Sequence, residues 1–141
     1  MLLKATISLV EGGIGALSVN QLYINRRQGG RSLSPTGRTF KRRIVAQLAT
    51  KWLLTTTLDN MTEYDLQMVF HFPRIYNEGW PDKAKTRFKK IDVTNFVKFF
   101  QDCIAAGSGI DDSSHFKVTV EKREDPINPR VEIEMSELGE T

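Results

Sequence analysis

The 141 residues, 40% of them hydrophobic, suffice for one domain with its own core and are too apolar for a disordered chain. No apolar run approaches the roughly 20 residues that cross a bilayer. The opening Met-Leu-Leu-Lys-Ala-Thr-Ile lacks the basic n-region of a signal peptide, and a single cysteine, Cys103, cannot form an internal disulfide, so a cytoplasmic protein is expected. The formal net charge of +3 conceals a polarity: residues 12–98 carry fifteen basic and six acidic side chains, the remainder five and eleven. The stretch 12–58 holds eight Arg and Lys and no acid, which points to a polyanion on one surface more than to an ordinary solvated face.

In chain order, Leu3, Ala5, Ile7 and Leu9 alternate with Lys4, Thr6 and Ser8, so residues 2–10 read as a half-buried strand. Glu11-Gly-Gly-Ile-Gly breaks it without the spacing of a phosphate or dinucleotide loop. Residues 18–33 read as a loop with a short extended piece, Ser18–Tyr23, followed by Arg26, Arg27, Gly29, Gly30 and Arg31. Ser34-Pro35 is a helix start, Ser as N-cap and Pro at the first helical position. Phe40, Ile44, Val45, Leu48 and Trp52 then recur at helical spacing, leaving Arg38, Lys41, Arg42 and Arg43 for a basic surface. Trp52, Leu53 and Leu54 span more faces than one core stripe, so they either cap the core or meet a second copy.

Residues 62–72 form a second strand, with Tyr64, Leu66, Met68, Phe70 and Phe72 on one face; His71, on the other, has no partner at metal spacing and reads as structural. Pro73 ends it. The connection 74–90 is long enough to suggest function and carries Lys83, Lys85, Arg87, Lys89 and Lys90; Trp80 and Phe88 could stack on a base, but packing inward is the plainer expectation. A second helix, about 92–106, buries Phe96, Val97, Phe99, Phe100, Cys103 and Ile104 and lines another face with Asn95, Lys98 and Asp102. Gly107 and Gly109 should end it. Two short strands around Phe116–Val120 and Val131–Met135, joined by Asp125-Pro-Ile-Asn-Pro129, read as a hairpin, and Ser136–Thr141 as an acidic frayed tail. The order β-α-β-α-β-β implies a single α+β domain, residues 1–135, with a mixed sheet of about four strands and two main helices.

Asp92 stands before the second helix and Asp111-Asp112 just past it. Each has a plain explanation, a helix cap or a polar turn. Beside Lys98 and a basic loop they also make the donor set of a metal-dependent nuclease. The helix between them is roughly 20 Å long, so the two ends meet only if the following loop folds back.

The motifs Ser18-Val-Asn-Gln-Leu-Tyr, Leu33-Ser-Pro-Thr-Gly-Arg and, most specifically, Asp92-Val-Thr-Asn-Phe-Val-Lys with Asp102 and Ile110-Asp-Asp-Ser resemble the RusA family of Holliday-junction resolvases, found in phages and prophages, over about residues 18–135. The resemblance implies a Mg²⁺-dependent homodimer (Mn²⁺ a possible substitute) that cuts four-way or branched DNA in recombination and repair. It implies Asp92 and Asp112 as metal-binding catalytic carboxylates, Asp111 as a neighbour, Lys98 as a functional lysine, and Asn95 and Asp102 as support. The chain departs from the family pattern at Thr94, where a second Asp is expected; a neutral hydroxyl is a weaker ligand. Arg26, Arg27, Arg31, Arg38, Arg42, Lys83, Lys85, Arg87, Lys89 and Lys90 are the expected DNA-binding set. Two other readings compete: a branched-DNA-binding protein without activity, and a protein-interaction domain with a basic loop.

Overall fold

The computed structural model describes residues 2–10, 19–53, 58–91 and 93–139. The elements are β1 (Leu2–Ser8), a one-turn helix α1 (Val19–Leu22), β2 (Tyr23–Asn25), β3 (Arg31–Leu33), α2 (Pro35–Leu48), β4 (Tyr64–Phe72), α3 (Thr94–Ser108), β5 (His115–Glu124) and β6 (Arg130–Glu137). The main sheet has the order β1-β6-β4-β5, and β2 and β3 form a separate small hairpin. β4 and β5 are parallel, joined through α3, while β6 is antiparallel to β4 and β1. The α+β architecture expected from the sequence is therefore present, with two main helices and a mixed four-stranded sheet.

β1, β4 and β6 bury alternate residues on one face, as the pleat requires: Leu3, Ala5 and Ile7 of β1; Leu66, Met68 and Phe70 of β4; Val131, Ile133 and Met135 of β6. Against that face α2 lays Phe40, Ile44 and Leu48, and α3 lays Phe96, Phe99, Phe100, Cys103 and Ile104. Phenylalanines dominate the seam: Phe70 meets Phe96 at 5.7 Å and Phe100 at 5.5 Å, and Phe40 stacks on Phe99 at 5.6 Å. Cys103 is one of these buried hydrophobes; burial pushes its thiol up to about 12, so it is no nucleophile.

Ser34 caps α2 as its sequence implies, accepting from the Gly37 amide at 2.9 Å. Its hydroxyl also donates to the Gln21 carbonyl, and its amide donates to the Leu22 carbonyl at 2.8 Å. Residues 19–23 are thus a helical turn running into a strand, not part of the extended piece expected over Ser18–Tyr23; Ser18 itself lies outside the described residues. Gly37 is buried under that turn, and a Cβ there would lie 2.2 Å from the Leu22 carbonyl oxygen.

Four other expectations change. The end of α2 continues as a π-helical turn, Ala49–Leu53, that swings Trp52 wholly inside, its Nε1 donating to the Lys4 carbonyl at 3.1 Å. Trp52 therefore belongs to the monomer's core; the Leu53 side chain and Leu54 lie outside the described residues. α3 runs two residues later than expected at both ends. Gly107 is inside it, packed so that a Cβ would lie 2.8 Å from Leu48 Cβ, and only Gly109, at φ 76°, is the terminator. The strands β5 and β6 are not a hairpin, because β4 lies between them. The 125–129 turn crosses the end of β4, where the Asp125 amide donates to the Phe72 carbonyl at 2.7 Å. Finally, Ser136 and Glu137 are not frayed: they pair with Asp65 and Tyr64 in the sheet, and Glu140 and Thr141 lie outside the described residues.

On the open face of the sheet His71 is buried, its Nε2 3.1 Å from Glu132 Oε1 but out of line for a hydrogen bond. Glu132 also holds Arg130, which binds Asp125 at 2.7 Å. That chain of contacts pins the crossing turn to β6 and accounts for His71 structurally.

Candidate functional site

α3 organises the chemistry. Its N-cap is Val93, which offers no side-chain acceptor, and Asp92 lies outside the described residues. Thr94, Asn95 and Lys98 are exposed on the first two turns, and Asp102 is half-buried one turn beyond Lys98. Asn95, Lys98 and Asp102 share one face by their spacing, flanking the phenylalanine side.

The small hairpin stands beside that face. Tyr23 packs edge-on against Phe99 at 6.3 Å, and Arg31 lies over the Tyr23 ring at 5.6 Å. Burial, reinforced by the Asp102 carboxylate, raises the Tyr23 phenol above its ordinary range. The hairpin's tip turns through Gly29 and Gly30, at φ 87° and 79°, values that glycine adopts without strain. Arg26, Arg27 and Arg31 are exposed around it. Arg38, Lys41 and Arg42 rim a groove of about 500 Å³ on α2 whose floor includes Val45, Ala46, Ala49 and Ala106. Arg43 turns inward instead, donating to the Ser8 carbonyl at 2.9 Å.

At the far end of α3 Asp111 caps a 3-10 turn, Asp112–Ser114, and hydrogen bonds from Ser113 hold its carboxyl below the usual carboxylate range. Asp112 is exposed. His115, which follows, has Nδ1 3.1 Å from Gln101 Nε2. Its Nε2 is buried with no hydrogen-bond partner among the described residues. Burial lowers the imidazole's pKa, against the pull of Asp112 and Asp111. His115 and Gln101 were not among the expected site residues; their only signal was position, three residues after the Asp pair and one turn beyond Lys98.

The loop after α3 thus ties back to Gln101, seven residues and about 10 Å of helix axis beyond Thr94. At the other end of β5 a base, not an acid, meets the helix entrance: Lys122 Nζ donates to the Ile91 carbonyl at 3.0 Å. Ligands of one hard cation sit at about 2.0–2.6 Å from it. Among the described residues no three carboxylate, His or Cys side chains gather in one chain as such a cage.

The family model for endodeoxyribonuclease RusA matches residues 17–136. The chain belongs to the RusA family. A search of the curated proteins returned no match. The match takes in the docked turn and helix cap at Ser34, the basic hairpin, the long loop and all of α3 through β6. The RusA family supplies the activity class, an endodeoxyribonuclease; among the described residues, no helix is long and apolar enough to cross a membrane.

In this RusA-family chain the expected DNA-binding side chains Arg26, Arg27, Arg31, Arg38, Arg42, Lys83, Lys85, Arg87, Lys89 and Lys90 are all exposed. Contacts of that kind act on phosphates, so binding to duplex arms should weaken with salt by a log–log slope of about 0.9 per contact. Replacing Arg26, Arg27 and Arg31 together by Ala is expected to flatten the slope by about 2 to 3, read from titrations across a salt series.

Proposed function

We propose that this protein is a Mg²⁺-dependent resolvase of four-way or related branched DNA, acting as a homodimer whose two metal sites are each shared between copies. The observation that carries the reading is the split along α3. The first turns of the helix present Thr94 and Lys98, with Asp92 two residues before Thr94 in the chain, and the turn past its end presents Asp111 and Asp112. Two copies can bring these ends together. β5 is one of the sheet's two edge strands, and an edge of unpaired backbone groups is a template for a second strand. Antiparallel pairing of two such edges about Thr119 sets Lys117 against Glu121 and Val118 against Val120, favourable cross-strand pairs. It also runs Asp111 and Asp112 of one copy toward the far end of the other's β5, where Lys122 holds Ile91. A two-fold dimer suits a substrate that must be cut on two opposing strands.

Asp92, Asp112 and Asp111 would hold the ion through their carboxylate oxygens, and Thr94 would add only a neutral hydroxyl where a carboxylate is expected. The ion, when bound, lowers the pKa of water and offsets charge on the phosphoryl oxygens and the leaving 3′-oxygen. Lys98, one turn from Thr94, holds the scissile phosphate, and Asn95 and Asp102 support the helix face on either side. The exposed arginines and lysines hold the DNA arms by their backbones.

Thr94 is the one specific observation on the side of a branched-DNA-binding protein without activity, since it removes a charge from the site. A labelled four-way junction incubated with and without Mg²⁺ separates the readings: paired cuts in Mg²⁺ support the resolvase, and tight binding without cuts supports the other. If Thr94 is only a weakened ligand, Thr94→Asp should lower the Mg²⁺ concentration for half-maximal cleavage about tenfold, one carboxylate's worth of affinity. Unchanged or lost cleavage would mean that the site uses a different donor set.

A further inference from the structure

In the long connection between β4 and α3, Trp80 and Phe88 were expected to pack inward. Instead Tyr76, Trp80 and Phe88 are 44%, 47% and 53% exposed. They are gathered around one side chain: the Arg87 guanidinium lies 5.4 Å from the Phe88 ring centre, 5.7 Å from Trp80 and 5.9 Å from Tyr76. Tyr76 and Phe88 face each other at 5.8 Å across an isolated antiparallel bridge.

The segment holding them is built. The Asn77 side chain donates to the Thr86 carbonyl at 3.0 Å and the Phe88 carbonyl at 3.2 Å, and its amide donates to the Arg87 carbonyl at 2.8 Å. The Lys89 amide donates to the Ile75 carbonyl at 2.9 Å, and the Glu124 carboxylate accepts from the Ile75 amide at 2.9 Å. Three aromatic faces held in water by a fixed frame are a cost in the free protein, since they bury little apolar area. Around them Lys83, Lys85, Lys89 and Lys90 are exposed.

We propose that Tyr76, Trp80 and Phe88, with Arg87, form a stacking platform for unpaired nucleobases. Flat rings and a guanidinium present π-faces that any base can cover, and the lysines supply the phosphate attraction. A paired base hides its faces in the duplex stack, so the ligand class is single-stranded DNA or bases opened at a branch point. The loop runs directly into Ile91 and the start of α3, so a base held here sits beside the candidate metal site. Its placement at a junction rests on the resolvase reading; its affinity for single strands does not.

The chain has two tryptophans, and Trp52 is fully buried, so a change in intrinsic fluorescence reports Trp80. In EDTA, titration with oligothymidylate should quench Trp80, and a blunt duplex of equal charge should not. The double variant Tyr76→Ala/Phe88→Ala should lose on the order of tenfold or more of single-strand affinity, and Tyr76→Phe should keep it. Equal quenching by duplex and oligothymidylate would overturn the proposal in favour of simple charge. Quenching by poly-glutamate but by no DNA would overturn it in favour of an acidic protein partner. Junctions cut in Mg²⁺ with no quenching by oligothymidylate would overturn the platform and leave the resolvase standing. Quenching with no junction ever cut would support the platform and remove the resolvase.

Discussion

Asp92→Asn and Asp112→Asn should each lower junction cleavage by about 10³-fold or more while leaving junction binding intact or tighter. The ion contributes several kcal/mol of transition-state stabilisation, at tenfold per about 1.4 kcal/mol. The amide keeps the side chain's size but takes a negative ligand from the metal, and it also removes a charge that repels phosphate. Gel-shift in EDTA and cleavage in Mg²⁺ read the two effects separately. Cutting at the unaltered rate by both variants would refute the site assignment. Because Asp112 is exposed on a short turn, no loss of fold confuses the result at that position.

Gly37→Ala should produce the largest structural effect of an added methyl at any of the described glycines. The new Cβ would lie 2.2 Å from the Leu22 carbonyl oxygen and 3.1 Å from Leu22 Cα, both backbone, so nothing flexible can give way. α1 would have to lift off α2, breaking the bonds from Ser34 to Gln21 and Leu22. Overpacking of this severity costs about 3 kcal/mol, near the upper end of the usual range. For a chain of this size that is roughly 10 °C in Tm, measurable by calorimetry. A Tm within a degree or two of the parent would mean that the turn is not docked as described. The same contact gives a physical reason for a glycine and a serine in the Leu33-Ser-Pro-Thr-Gly-Arg motif: one admits the neighbouring backbone, the other ties it down.

What could be read from the sequence was local. Ser34-Pro35 followed by Phe40, Ile44, Leu48 and Trp52 specified a capped helix because cap and periodicity agree. The alternation Tyr64–Phe72 specified a strand with its inner face. Pairing partners were not local. Asp125-Pro-Ile-Asn-Pro129 signals a turn whether the chain returns beside β5 or crosses β4 first, and the structure does the second. Phe116 and Val118 alternate like core residues yet are 62% and 38% exposed on β5, while the other edge strand, β1, buries its alternate residues; alternation alone does not say which strand's face is covered. Gly107 looked like a terminator when its smallness serves the close approach of α2 and α3. The aromatics at 76, 80 and 88 could not be assigned inside or outside without the Asn77 frame that holds them out.

For the site, the motif around α3 was legible and its geometry was not. The resemblance to the RusA pattern puts Asp92, Lys98 and Asp112 in one expected set, but a single sequence does not say on which copy each would act. Helix length alone warned that the two ends stand apart. The route of the loop and of β5 supports the shared-site proposal: the segment after the Asp pair ties back to Gln101 through His115, and Lys122 reaches Ile91.

The most direct test mixes the two inactive variants. Asp92→Asn protein and Asp112→Asn protein, each inert alone, are combined under conditions that exchange subunits and assayed on a labelled four-way junction in Mg²⁺. If the sites are shared between copies, a mixed dimer holds one site with both carboxylates and one with neither, and cleavage returns as a single nick. If each chain builds its own site, every mixed dimer carries two broken sites, and the mixture stays as inert as its parts.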